Sequence, residues 1–211
     1  MKRILSLAVA FAALMLCQNT FAQPSELMHN GTEKYDSIGT ITGSASIFNE
    51  KGINCSLRYD FSEAHIVNFD RDNVTVIEDF GSIDAYNKSH GEDYVRDWPH
   101  CLDMLEVGTC LELSKKFKAD FYTPDIPVDM KYDIVIKLAL FDLGHFVFVG
   151  SLKAGGNIAK GIMYVYDAGT KQLVASFDLN YLRGKNVGYG DEDRLRQYGK
   201  TVAKELAATL K

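Results

Sequence analysis

The sequence predicts an α+β fold: a mostly antiparallel sheet packed against helices and closed by a C-terminal amphipathic helix. Three observations predict it. Period-two alternation of apolar and polar residues recurs in the first and last thirds. Helical spacing occupies the middle. A single apolar stripe at three- and four-residue intervals ends the chain. Strands, then helices, then strands and a helix is the order of a layered α+β domain.

The elements follow in chain order. Met1-Lys2-Arg3 is a charged start, and Ile4 to Cys17 is an apolar run broken only by Ser6. Small residues precede a cut after Ala22, so residues 1–22 read as a secretory signal. The run is shorter than the roughly 20 residues of a membrane span. Cys17 opens a second expectation, a lipoprotein cut just before it, but bulky Leu16 stands where such a peptidase wants a small residue. Residues 23–36 are a polar leader, and residues 37–211 suit one domain. The expected location is periplasmic or secreted, with outer-membrane attachment through Cys17 as the lesser expectation. Losing Lys2 and Arg3 takes the net charge from -5 to -7, since residues 1–22 hold no acid. An acidic chain has no electrostatic footprint for nucleic acid.

From Ser37, Ile38, Ile41, Ala45 and Ile47 read as strand, and Asn49 to Gly52 as a turn. Cys55 to Phe61 alternates and reads as the second arm of a hairpin through Lys51-Gly52. Asn73 to Ile77 is a third short strand. Ser82 starts a helix ending near His90-Gly91. A longer helix is expected from about Asp97, with Pro99 in its first turn and a break or bend at Gly108. Lys115, Lys116 and Lys118 suit its C-terminal dipole.

The last third is clearest. Tyr132 to Phe141 is a long strand, Asp142-Leu143-Gly144 turns it, and His145 to Val149 runs back. Gly155-Gly156-Asn157 leads to a strand at Ile162 to Tyr166. Asp167 to Thr170 turns the chain, and Leu173, Ala175, Phe177 and Leu179 line one face of the next strand. In the closing helix, Asp191-Glu192-Asp193 suit its N-terminal dipole. Leu195, Tyr198, Val202, Ala203, Leu206 and Leu210 form its buried stripe.

The order from 132 to 210 resembles exported envelope proteins of Gram-negative bacteria. It runs from a strand ending Phe141-Asp142, through a glycine-rich hairpin at Gly155-Gly156 and a strand ending Asp167-Ala168-Gly169-Thr170, to a helix ending Ala203 to Ala207. In that family a small sheet is backed by helices, as in the amino-terminal domain of TolB and in outer-membrane activators of peptidoglycan synthases. The resemblance implies a periplasmic binding or assembly domain. Leu16-Cys17 departs from the lipoprotein pattern common there.

Cys55, Cys101 and Cys110 would survive processing. An odd count permits one disulfide and a free thiol. On one continuous helix Cys101 and Cys110 would lie roughly 13 Å apart, beyond bonding reach. The expectation is three small buried residues.

Candidate chemistry is sparse. The five histidines include no His-x-x-x-His pair. Asp97 and His100 share a helix face, where an acid near a helix start is the simpler account. Asp142 and His145 flank a turn and would serve as acid and base if a nucleophile joined them. The loop Gly150 to Gly156 lacks the Gly-Lys-Ser/Thr ending of a phosphate loop and lies between expected strands instead of before a helix. Tyr94, Trp98 and Tyr122 are placed to form a partner- or sugar-binding surface. The expected role is a non-enzymatic envelope module that binds an envelope protein or polymer through the sheet face or the 145–157 hairpin, with no cofactor and no metal. The candidate contact residues are Asp142, His145, Tyr94 and Trp98. The alternative is a secreted hydrolase using Asp142 and His145, with or without a metal.

Overall fold

Residues 37–70, 73–144, 157–184 and 191–209 are described by a computed structural model. The signal, the leader, His145 and the expected strand at 145–149 lie outside them. The elements are β1 (Ser37–Gly43), a 3-10 turn (Ala45–Asn49), β2 (Asn54–Asp60), β3 (His65–Asp70), β4 (Thr75–Asp79), α1 (Ile83–His90), α2 (Glu92–Lys116), β5 (Asp120–Tyr122), β6 (Tyr132–Asp142), β7 (Ile158–Asp167), β8 (Leu173–Arg183) and α3 (Asp191–Thr209). The fold is α+β, as expected. The sheet runs β1-β8-β7-β6-β2-β5, with β3 and β4 joined beside β6. β1, β8, β7 and β6 are antiparallel neighbours, whereas β2 and β3 run parallel to β6. Among the described residues no helix is long and apolar enough to cross a membrane.

Strands β6, β7 and β8 match their sequence signals, and a short turn joins the last two. Asp167 makes that turn: its Oδ1 accepts N–H bonds from Gly169 (3.1 Å) and Thr170 (2.7 Å). Ser82 caps α1, its Oγ accepting the Ala85 N–H at 3.2 Å, and such a cap contributes about 1 kcal/mol.

Two helices, α2 and α3, cover one sheet face. Leu105 and Leu113 from α2, and Leu195, Tyr198, Val202 and Leu206 from α3, meet Leu57, Ile136, Met163, Phe177 and Leu179 from the sheet. Each large apolar side chain so buried contributes about 1.5–3 kcal/mol. A second, smaller core joins Val67, Phe69 and Val74 of the β3–β4 hairpin to Leu140, Ile158 and Tyr181 on the other side of the sheet. Bulges make this second core. The register of β6 slips between Leu138 and Leu140, and that of β8 slips opposite the step from Ala159 to Gly161. An extra residue reverses which face each later side chain takes. Leu138 therefore joins the main core while Leu140 turns to the hairpin.

Several expectations are corrected. β1 does not form a hairpin with β2; it pairs with β8, from Ser37↔Asn180 to Gly43↔Ala175. Ala45 and Ile47 fall in the 3-10 turn instead of a strand, which places Phe48 in the core against Phe117, Phe121 and Phe177. β3 carried too short a pattern to be read. The antiparallel partner of β6 is β7, and β2 and β3 take its other edge. Leu173 lies at the start of β8 and is exposed.

The long helix starts at Glu92, a full turn before Asp97, with Pro99 inside it and acids Glu92 and Asp93 in its first turn. It also runs unbroken through Gly108. The reason is tertiary. A Cβ at Gly108 would stand 2.8 Å from the Arg196 carbonyl oxygen of α3. Gly108 is thus where α3 packs directly on the α2 backbone, and its missing side chain serves the helix crossing instead of a bend. Because the helix is continuous, Cys101 and Cys110 stay apart, and both are buried, as is Cys55.

Candidate functional site

α2 presents Asp93, Tyr94, Asp97, Trp98 and Cys101 on one helical face, at the four-residue repeat that stacks side chains along a helix. Leu143, in the turn that follows β6, closes the other side. Together they line a groove of about 240 Å³. The structure thus brings together two expected contact residues, Tyr94 and Trp98, with the residue next to a third, Asp142. Tyr122, on β5, does not line it.

The two rings have different surroundings. Trp98 is anchored: its ring meets Phe61 edge-on at 5.5 Å, and Phe61 meets Phe141 edge-on at 5.3 Å, a chain of rings into the core. Edge-to-face pairs of this kind add about 0.5–1.5 kcal/mol each beyond area burial. Tyr94 is open, 39 % exposed. Beyond Tyr94 the rings continue across Gly91 into α1. His90 lies 5.3 Å from Tyr94, and Tyr86 stacks on His90 at 4.0 Å. Phe80 meets Tyr86 at 5.3 Å. Sequence reasoning missed Tyr86 and His90. The signal is an aromatic residue at 86, 90, 94 and 98, every fourth position, which the sequence interrupts with Gly91.

The groove's charges are paired on the spot. The Arg96 guanidinium meets Asp93 at 2.8 Å and Asp97 at 2.8 Å. Hydrogen bonding from Arg96 holds the Asp97 carboxyl below its ordinary range.

Asp142 stands behind this wall, 1 % exposed. Its Oδ2 accepts the Phe69 N–H at 3.1 Å and its Oδ1 accepts the Gly144 N–H at 2.6 Å. The carboxylate ties β3 to the turn after β6, and Gly144 takes that turn with φ +76°. The Asp142/His145 pair itself lies partly outside the described residues. A histidine–aspartate pair does form elsewhere: His65 Nδ1 meets Asp79 Oδ2 at 2.9 Å across the β3–β4 hairpin, and Asp79 also accepts the Gly81 N–H at 2.8 Å. Both contacts serve the hairpin's end. Among the described residues no three His, Cys, Asp or Glu side chains gather as a metal site.

The open face of the sheet, the other expected contact surface, has internally paired charges. Lys137 meets Glu63 at 2.7 Å, and Lys171 meets Asp133 at 2.7 Å. Ser56 donates to Asp133 at 2.7 Å.

No family model matches the chain, and no curated protein does. Among solved structures, it is similar to the PelC dodecamer from Paraburkholderia phytofirmans, with a TM-score of 0.37, 10 % identity, and coverage of 80 % of this chain and 97 % of that one. A point variant of that dodecamer in a second crystal form gives a TM-score of 0.35 at 10 % identity, covering 78 % of this chain and 96 % of that one. At that level of likeness neither ligand nor assembly passes from one chain to the other.

Proposed function

We propose that the protein is an exported envelope module that binds a partner without chemical turnover, and that its contact surface is the α2 groove at Tyr94 and Trp98. The observation that carries this is the groove itself. An anchored tryptophan, an exposed tyrosine and paired polar groups converge on one concave spot, the usual composition of a binding site. The signal-like residues 1–22 support the location. The use of both Asp142 oxygens in backbone hydrogen bonds weighs against that carboxylate as a general base.

The test is site-specific photocrosslinking in intact envelopes. A photoreactive residue at Val95, 54 % exposed beside Tyr94, is compared with one at Ile77, 69 % exposed on β4. A discrete adduct from position 95 and none from position 77 is the expected result. Adducts from neither position, at normal expression, would remove the groove as the contact surface. The export half is checked by sequencing the amino terminus of the envelope-bound protein, which should begin at Gln23.

A further inference from the structure

We propose that the outer face of the α2–α3 layer docks on an anionic lipid bilayer, through a row of cations on α3 and two exposed aliphatic side chains on α2. The row follows from spacing. Arg196, Lys200 and Lys204 recur every fourth residue, so they lie along one side of α3 about 6 Å apart. Arg196 and Lys204 are exposed, and Lys200 is half-buried. Packing sets this row beside α2: Arg196 Cγ lies 3.0 Å from where a Cβ at Gly108 would stand. Leu111 comes three residues after Gly108, on the same side of α2, and Val107 one turn before Leu111. Leu111 is 50 % exposed and Val107 36 %. Cations and apolar groups therefore share one edge of the helix layer.

Charge singles this face out. The chain is acidic, with a net charge of -5. Elsewhere carboxylates hold its cations: Glu63 holds Lys137, Asp133 holds Lys171, and Asp93 and Asp97 hold Arg96. Among the described residues, Arg196, Lys200 and Lys204 have no ion-pair or hydrogen-bond partner. The neighbouring acids do not balance them. Glu112 is already shared by Lys115 and Lys116, at 3.6 Å each. Asp103, one turn before Val107, is one carboxylate against three cations. Glu205 follows Lys204 but points about 100° away around α3. A second copy of the chain would bring the same row against itself, cation on cation. A bilayer answers both features of the face. Its anionic headgroups take the cations, and its interfacial zone takes Leu111 and Val107. The row spans about 12 Å, so it meets several headgroups at once. Export, as proposed above, places a bilayer within reach. The α2 groove stays clear of the contact, since Cys101 lies six residues before Val107, about 9 Å along the helix.

The test is cosedimentation of the full mature protein with vesicles of equal parts phosphatidylglycerol and phosphatidylcholine. Vesicles of phosphatidylcholine alone and soluble polyglutamate are the comparisons. The expected result is binding to the anionic vesicles only, weakening as salt shortens the Debye length. Lys200→Ala and Lys204→Ala should each weaken it about fivefold, equivalent to about 1 kcal/mol per cation near the surface. Leu111→Ser should weaken it with the salt dependence unchanged. Lys88→Ala, at an exposed position on α1, should leave it as it is. Far-ultraviolet circular dichroism checks that each variant keeps the fold. No binding to anionic vesicles, equal binding to neutral ones, binding of polyglutamate in place of vesicles, or an equal loss from Lys88→Ala would each overturn the proposal. The photocrosslink at Val95 tests the groove separately, so failure of one reading is distinguishable from failure of the other.

Discussion

Replacing Gly199 by alanine adds one methyl where α3 crosses α2. That Cβ would stand 2.3 Å from Thr109 Oγ1, 2.7 Å from the Leu105 carbonyl oxygen and 2.9 Å from the Thr109 nitrogen. Two of the three are helix backbone. The third is held as well, since Thr109 Oγ1 donates to the Leu105 carbonyl at 2.8 Å and sits 3.0 Å from the Tyr59 hydroxyl. No side chain can swing aside, so the helices must separate by several tenths of an ångström. Separation loosens Leu195, Tyr198 and Val202 against the sheet. Overpacking of this kind costs about 1–3 kcal/mol. Alanine offsets up to about 1 kcal/mol of that through its better helix propensity. With backbone on two of the three contacts the cost lies in the upper part of that range, about 2–3 kcal/mol, so the balance is a net loss of about 1–2 kcal/mol and a fall in Tm of roughly 2–8 °C for a domain of this size. Urea unfolding followed by far-ultraviolet circular dichroism and by Trp98 emission measures it. Gly199→Ala at or above wild-type stability would refute the close crossing, and with it the account of why α2 runs through Gly108.

Three further outcomes follow from named contacts. Asp142→Ala strands two backbone N–H groups, at Phe69 and Gly144, and should cost about 1–3 kcal/mol for each one buried; Asp142→Asn keeps an acceptor and should cost less in the same urea titration, whereas equal stability of all three proteins would mean the carboxylate is not structural. Burial raises the Glu106 carboxyl above its ordinary value, although the Tyr59 N–H it accepts at 2.9 Å pulls the other way. A raised carboxyl holds its proton more tightly in the folded state, so its contribution is full below the unfolded value and lost as pH rises through the folded one. Glu106→Gln should therefore be at least as stable as wild type at pH 7, with the difference closing toward pH 4, and a variant clearly weaker at pH 7 contradicts this. Burial pushes the Cys55 and Cys110 thiols up to about 12, so neither should react with a water-soluble disulfide reagent until urea unfolds the chain; Cys101, which lines the groove, should be the first to label.

The legible elements are those whose evidence is local. Ser82 announces α1 because a cap acts within one turn. Asp167 to Thr170 announce the β7–β8 turn for the same reason, and the α3 stripe states its own buried face. Tyr94 and Trp98 were legible as candidates because large aromatics in a polar helical stretch stand out. Their partner Leu143 was not, since it arrives from a turn more than forty residues downstream. β3 was lost because both its faces are buried, Ile66 in the main core and Val67 and Phe69 in the second, so no simple alternation shows. Asp142 read as chemistry in one dimension, and the fold shows its oxygens engaged with Phe69 and Gly144.

By itself, the chain's residue pattern determined the α+β class, the β7–β8 hairpin and the closing helix, because periodicity, caps and turn residues act over a few positions. Only the tertiary structure decided that β1 joins β8, that Gly108 continues a helix instead of ending it, and that bulges in β6 and β8 divide the core. Those outcomes depend on which distant surface arrives to be packed. A glycine's space, a strand's free edge and a carboxylate's lone pairs acquire their use only from the neighbour that fills them.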